Sequence, residues 1–393
     1  MLQGLNIDGS VSVSAGLAVH RDRARNGRGP RICVLVGSHW SKVTGGAQYQ
    51  AQCLVEALVR ERRGEVYYVT RSADPGYRPD GYTLVRAGHA SGMARGLRRT
   101  FHDLRTFGRI LREIDPDVIY QRGGGIFTGI AARHARARGC RLVWNIAAHW
   151  EVCPQPIRLR RDIAYRLVER RLLEYGIRHA STIVAQHADQ ARLLEAHYGR
   201  TPDALIRNFH PDPLEPLVKR RPCTVMWIAN LKQCKQPELF LRLAETLRER
   251  TDARFVMVGG MQVQGRAGDA LRTAIARSPV EYTGALPQEE VNRLLAEADL
   301  LVNTSTAEGF SNTFVQAWMR RVPVVSLNVN PEGVLERHRI GVQSHTFPQL
   351  VDDVRALLDD HEARDAMGRR AQQYALAHHS ERNIGALMDL LVP

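Results

Sequence analysis

Two of the chain's four lysines, Lys232 and Lys235, stand close together in Ala229-Asn-Leu-Lys-Gln-Cys-Lys-Gln-Pro237, in a protein of 55 basic residues. A compact ammonium just ahead of a helix that starts at Pro237 suits a diphosphate, because amides at a helix start also favour negative charge. A second constellation lies in Leu300 to Ser326, LLVNTSTAEGFSNTFVQAWMRRVPVVS. Glu308 sits in its polar loop, and Asn312 and Gln316, four apart, share a helical face turned towards that loop. A carboxylate and two amides can hold hydroxyl groups. Gly45-Gly46, before a helical pattern, lets backbone approach a ligand closely. It lacks the glycine spacing of the dinucleotide fingerprint. His149, with Glu151 as its substitute, follows an apolar run, where a ligand-facing loop is expected. Asp115-Pro-Asp117 is turn chemistry rather than a metal motif.

These groups need elements to hold them. Leu300 to Asn303 reads as a buried strand, Thr304 to Phe310 as a loop, and Ser311 or Asn312 as the cap of a helix. Val322-Pro323 ends that helix and Val324-Val325 begins another strand. In an open parallel sheet such a loop lies at the carboxyl ends of the strands, where ligands bind. The same alternation starts at Arg31 to Gly37, followed by a helix from Ala47 to Arg60. It continues through strands at Val66 to Thr70, Val118 to Gln121, Leu142 to Ile146 and Thr182 to Ala185. Ile157 to Tyr175 reads as an amphipathic helix, expected to pack on the domain, with contact to anionic lipid as the secondary reading. The Pro-rich Arg207 to Pro222 is a linker. A second series of strands and helices begins at Cys223 and includes a strand over Arg254 to Val258 and helices over Ala267 to Arg277 and Gln288 to Ala296.

E-G-F-x-N, then an amide before A-W-M and P-V-V, resembles the donor-binding signature of retaining family-4 (group 1) glycosyltransferases. The resemblance implies the α/β GT-B fold, two Rossmann-like domains facing each other across a cleft. Residues 31–215 would then bind the acceptor and residues 216–375 the nucleotide sugar. A helix within 376–393 would return to the first domain, and residues 1–30 would be a mobile basic tail. By the same resemblance Glu308 touches the donor sugar, Gln316 stands where a Glu usually holds the ribose, and Gly309, Phe310, Ser311 and Asn312 offer contacts between them. Lys235 matches a phosphate-binding lysine, Asn230 occupies the place of its partner arginine, and Lys232 compensates. Gly45 and Gly46 match a donor-side turn, and His149 a group near sugar and acceptor. Arg321 stands where a helix-ending glycine is usual. The family needs neither metal nor cofactor. The implied activity is transfer from a nucleoside-diphosphate sugar to a glycan or lipid-linked acceptor, in cell-surface polysaccharide synthesis. The alternatives are a catalytically silent GT-B subunit that binds a glycan or partner, and a sugar-nucleotide epimerase or phosphorylase.

At 393 residues and 44% hydrophobic composition the chain suits two or three globular domains. It has no apolar run long enough to span a bilayer. The opening lacks a basic signal-peptide start, and the six cysteines are scattered without close pairs, so the expected compartment is a reducing cytoplasm. Nor do the fifteen histidines show metal spacing, and His378-His379 reads as solvated. Up to Glu215 there are 33 Lys and Arg against 20 Asp and Glu, and 22 against 21 thereafter. Nearly all of the +14 charge therefore sits in the first half. That suits an anionic acceptor or peripheral contact with the inner membrane face. Without a reader motif or aromatics among the arginines, nucleic acid is not an expected partner.

Overall fold

The computed structural model describes residues 29–43, 45–88, 96–154, 163–213, 217–219 and 221–392. The chain forms two compact units, one running to Asn208 and resuming at Arg382, the other Phe209–Glu381.

In the first unit the order is β1 (Arg31–Leu35), α1 (Gly46–Arg60), β2 (Glu65–Thr70), β3 (Thr83–Arg86), α2 (Leu97–Ile114), β4 (Val118–Arg122) and α3 (Ile126–Arg138). Then come β5 (Arg141–Asn145), α4 (His149–Val152), α5 (Ile163–His179), β6 (Thr182–Ala185), α6 (Ala188–Tyr198) and β7 (Ala204–Leu205). Its sheet is parallel throughout, in the order β3-β2-β1-β4-β5-β6-β7. Helices cover both faces, which is why the central strands read as unbroken apolar runs. The order reverses direction between β1 and β4, and the loops leaving those two strands bound the crevice where such sheets bind ligands.

The second unit holds β8 (Thr224–Ile228), α7 (Pro237–Leu247), β9 (Arg254–Val258), α8 (Gly265–Arg277), β10 (Glu281–Gly284), α9 (Gln288–Glu297) and β11 (Leu300–Asn303). α10 (Asn312–Met319), β12 (Val324–Ser326), α11 (Val334–Arg337), β13 (Gly341–Gln343), α12 (Phe347–Asp359) and α13 (His361–His378) complete it. This sheet is also parallel, β10-β9-β8-β11-β12-β13, with its switch between β8 and β11. Trp227, Phe240, Leu243 and Leu300 fill one face and Phe314, Trp318, Val324 and Ala371 the other. The last helix, α14 (Arg382–Leu391), packs with the first unit, where Arg141 donates to the Leu390 carbonyl.

Several expectations are adjusted. Residues 1–28 of the expected tail, and 157–162 of the expected amphipathic helix, lie outside the described residues. Its described part, α5, packs on α3 through a close approach. A Cβ at Gly129 would come within 2.7 Å of the Leu172 Cβ, and one at Gly176 within 2.6 Å of the Thr128 methyl. The units divide at Asn208 and Glu381 rather than after residues 215 and 375. One reason is that α13 runs to His378 and His379 is fully buried against Phe310, Trp318 and Tyr374 of the second unit. The reading of His379 as solvated is therefore corrected. Arg321 takes the left-handed backbone of the glycine it replaces, at φ 57°. Asp115 caps α2 in the same conformation, and Asp117 accepts from the Arg31 amide at 2.9 Å, so Asp115-Pro-Asp117 is a turn. Among the described residues no helix is long and apolar enough to cross a membrane.

Candidate active site

The loops leaving β8 and β11, on either side of the switch point, bring Lys235 and Glu308 together. Lys235 Nζ lies 2.9 Å from Glu308 Oε1. The same oxygen accepts from Ser305 Oγ at 2.6 Å and Asn303 Nδ2 at 2.8 Å. Burial favours the neutral form of this carboxyl, but Lys235, Ser305 and Asn303 outweigh it and hold its pKa below the usual range. Glu308 therefore stays ionised, with three donors converging on Oε1. The lysine keeps two further N–H donors.

Hydrogen bonds hold the two loops to each other. Thr304 Oγ1 accepts from Trp227 Nε1 at 2.9 Å and donates to the carbonyls of Lys235 and Gln236 at 2.7 and 3.0 Å. The Thr306 amide donates to the Cys234 carbonyl at 2.9 Å. Asn303, Thr304 and Ser305 were missed as site residues. Their signal is a polar run that stays buried directly after an apolar strand. Lys235 itself ends a short 3₁₀ turn, Gln233–Lys235, and Gln236 takes a left-handed conformation before Pro237 opens α7. Lys232 is exposed and Asn230 half-buried in the same loop.

Gly259 was also missed. It follows β9 with φ 151°, and a Cβ there would overlap the Ala229 carbonyl at the root of the Lys235 loop. Gly259→Ala should therefore displace that loop and destabilise the second unit by about 2 kcal/mol or more. A fall in Tm and in ligand affinity together would show it, whereas an unchanged Tm would remove the steric constraint.

The Glu308-side residues divide by exposure. Gly309 and Asn312 are half-buried beside Glu308. Phe310 is a core residue packed against Trp318, and Ser311 is buried, so neither side chain is presented at the surface. Ser311 occupies the cap position of α10, but its hydroxyl meets Thr313 Oγ1 at 2.9 Å and makes no capping bond, which corrects the expected cap. Gln316 is 4% exposed, one turn behind Asn312.

In the first unit the loops leaving β1 and β5 carry different chemistry. Gly45 precedes α1 in extended conformation and Gly46 is its first, exposed residue. His39 is buried, stacked on Trp40 at 3.8 Å, and bonded to Tyr82 Oη at 2.9 Å and Ser41 Oγ at 2.8 Å. Burial, then Arg86, lowers its pKa to about 4, so it is neutral. His149 opens the short α4 rather than sitting in a loop. Glu151 faces inward: it is 1% exposed, its Oε2 accepts from the Ala147 amide at 3.0 Å, and burial raises its pKa to about 7. It thereby orders the segment just ahead of His149, and its burial leaves it almost no open surface. His149, His187 and Asp189 have ligand atoms within 4.8 Å of one another and are the group of metal-competent side chains among the described residues. Two imidazoles with one carboxylate suit a zinc-like ion better than magnesium or manganese, which prefer oxygen. Asp189 is also engaged by Arg192.

Comparison with known proteins places this architecture. Residues 222–360 match the family described as glycosyl transferases group 1, and residues 45–208 the glycosyl transferase 4-like domain. A D-inositol 3-phosphate glycosyltransferase of Corynebacterium aurimucosum is 24% identical over 238 residues, 54% of this chain and 56% of that protein. The chain spans about half the length of the curated relatives it matches. Among solved structures, a sucrose-phosphate synthase from Thermosynechococcus elongatus has a TM-score of 0.70 at 16% identity, covering 92% of this chain and 98% of its own. WaaG, a glycosyltransferase involved in lipopolysaccharide biosynthesis, has a TM-score of 0.69 at 16% identity, covering 92% and 99%. With a group 1 match on the second unit, a 4-like match on the first and a GT-B arrangement of strands in both, the chain belongs to the group 1 (family-4 type) glycosyltransferases.

Proposed function

We propose that the protein transfers a sugar, with retention at the anomeric carbon and without a metal, from a nucleoside-diphosphate sugar to a hydroxyl of a glycan or lipid-linked acceptor. The observation that carries this reading is the Lys235–Glu308 pair at the switch point of the second sheet. Lys235 directs its remaining donors at the diphosphate and offsets the charge that develops as the sugar–phosphate bond breaks. Glu308 uses its second oxygen to hold the sugar, and Gln316 accepts from the ribose. The acceptor oxygen bonds to the anomeric carbon on the face the diphosphate leaves. The departing phosphate oxygen takes the acceptor's proton, so no protein nucleophile is required. The first unit receives the acceptor, with His149 positioning it. Involvement of the similar WaaG in lipopolysaccharide biosynthesis supports a role in cell-surface polysaccharide synthesis.

The test is turnover with a panel of nucleoside-diphosphate sugars and product analysis by NMR. The expected product keeps the donor's anomeric configuration, and the rate survives EDTA. An inverted product, or a rate abolished by EDTA and restored by manganese or magnesium, would overturn the mechanism.

A further inference from the structure

A cleft of about 320 Å³ lies between α2 and α3 of the first unit, walled by Arg105, Arg112, Arg133, Arg138 and His134. It is set back from the ligand edge of the sheet, because its residues occupy the middle and later turns of helices that run back from that edge. No carboxylate lines it. Glu113, the nearest acid along α2, is taken by Arg109 at 3.9 Å. Arg112 uses Nε on the Gly108 carbonyl at 3.1 Å and keeps its other nitrogens for the cleft. The Arg133 guanidinium reaches α2 at Gly108, where a Cβ would stand in ordinary contact, 3.7 Å from its Nη2.

Helix C-termini attract cations, which accounts for Arg112 and Arg138 in the last turns. It does not account for Arg105 and Arg133, which lie further back. Nor does it explain His134, which is 7% exposed with its Nε2 buried and without a hydrogen-bond partner. Burial, then Arg138 and Arg112 against the opposing Asp115, disfavours its protonation. The wall thus gathers four exposed guanidinium groups around a buried imidazole, with no carboxylate among its lining residues.

We propose that this cleft binds a phosphate group, held by forked contacts from the four arginines with His134 Nε2 behind them. The favoured carrier is a phospholipid headgroup. Leu97 and Phe101 precede Arg105, Gly108 and Arg112 on one stripe of α2, and they are 38% and 62% exposed. A helix face that is apolar at one end and cationic at the other suits a bilayer surface. A free phosphate or pyrophosphate would meet the same arginines without using Leu97 or Phe101.

The experiment uses the full chain, an Arg112→Glu/Arg133→Glu variant, a Phe101→Ser variant, and an Arg266→Glu/Arg277→Glu control with the same charge change on α8 of the second unit. Each is sedimented with phosphatidylglycerol–phosphatidylcholine vesicles and with phosphatidylcholine alone, and titrated with pyrophosphate while the His134 ring is followed by NMR. The cleft variant should lose about tenfold or more in anionic-vesicle binding relative to the control. Phe101→Ser should weaken vesicle binding and leave the pyrophosphate response intact. Loss of the pyrophosphate response in the cleft variant, with vesicle binding unchanged, would keep the site and assign it to free phosphate. If neither probe separates the cleft variant from the control, there is no phosphate site between α2 and α3.

Discussion

Lys235→Ala should lower affinity for a nucleoside diphosphate by about a hundredfold while leaving binding of the bare nucleoside nearly unchanged. The lysine is proposed to meet phosphate alone, so base and ribose contacts should survive its removal. Glu308→Gln should act on turnover, lowering kcat/KM by about a hundred- to a thousandfold. The Gln side chain retains an oxygen for Ser305 and Asn303 but not the charge that fixes the ammonium 2.9 Å away. Because the two groups touch, the double variant should lose far less than the product of the single losses. Calorimetry with nucleoside and nucleoside diphosphate, together with initial rates, measures all three. Equal weakening of both ligands by Lys235→Ala would take that residue out of the phosphate site. Full multiplicativity would mean that the pair seen here does not operate in the reaction.

That pairing illustrates what the sequence could and could not disclose. Each residue was legible singly: Lys235 because lysine is rare in an arginine-rich chain, Glu308 because it follows a buried strand. Their contact depends on β8 and β11 being neighbours, a fact of sheet order that no local pattern carries. The central strands were readable because sheets covered on both faces demand continuous apolar runs, as in Leu300–Asn303. β3, β7 and β13 were not, since they are short and β3 is half-exposed, so little apolar patterning marks them. Arg320 is the clearest case of a misleading residue type. Beside Arg321 it looks solvated, yet it is 1% exposed and spends its guanidinium on the carbonyls of Asn292 and Gln316, each at 3.1 Å. It thereby ties α9 to α10 behind the Glu308 loop. Such a role depends on which carbonyls lack helical partners, and only the packed structure reveals that. Arg321, by contrast, followed directly from a backbone rule, because a position that usually holds a helix-ending glycine keeps its left-handed conformation.

Glu151 gives the largest expected pH effect. Its side chain is buried against Gly123 and Gly124, and burial lifts its pKa from 4.5 to about 7 although the Ala147 and Gly124 amides, Arg122 and the Ala148 amide favour the charged form. A folded pKa above the unfolded one means that the folded protein binds the proton more tightly. The resulting contribution to stability is complete below about pH 4.5 and is lost as the pH rises through about 7. The full difference amounts to about 3 kcal/mol. Glu151→Gln keeps an acceptor for the Ala147 amide and removes the titration. Its stability relative to the parent should therefore climb between pH 4.5 and 8 by about that amount, read as Tm or by hydrogen exchange in the first unit. Infrared spectra of the parent should show a protonated carboxyl band that titrates near neutrality and is missing from the variant. A stability difference that does not change with pH would mean that Glu151 titrates normally. The α4 loop would then be held by its amide contacts alone, and His149 would not be positioned through a buried, protonated acid.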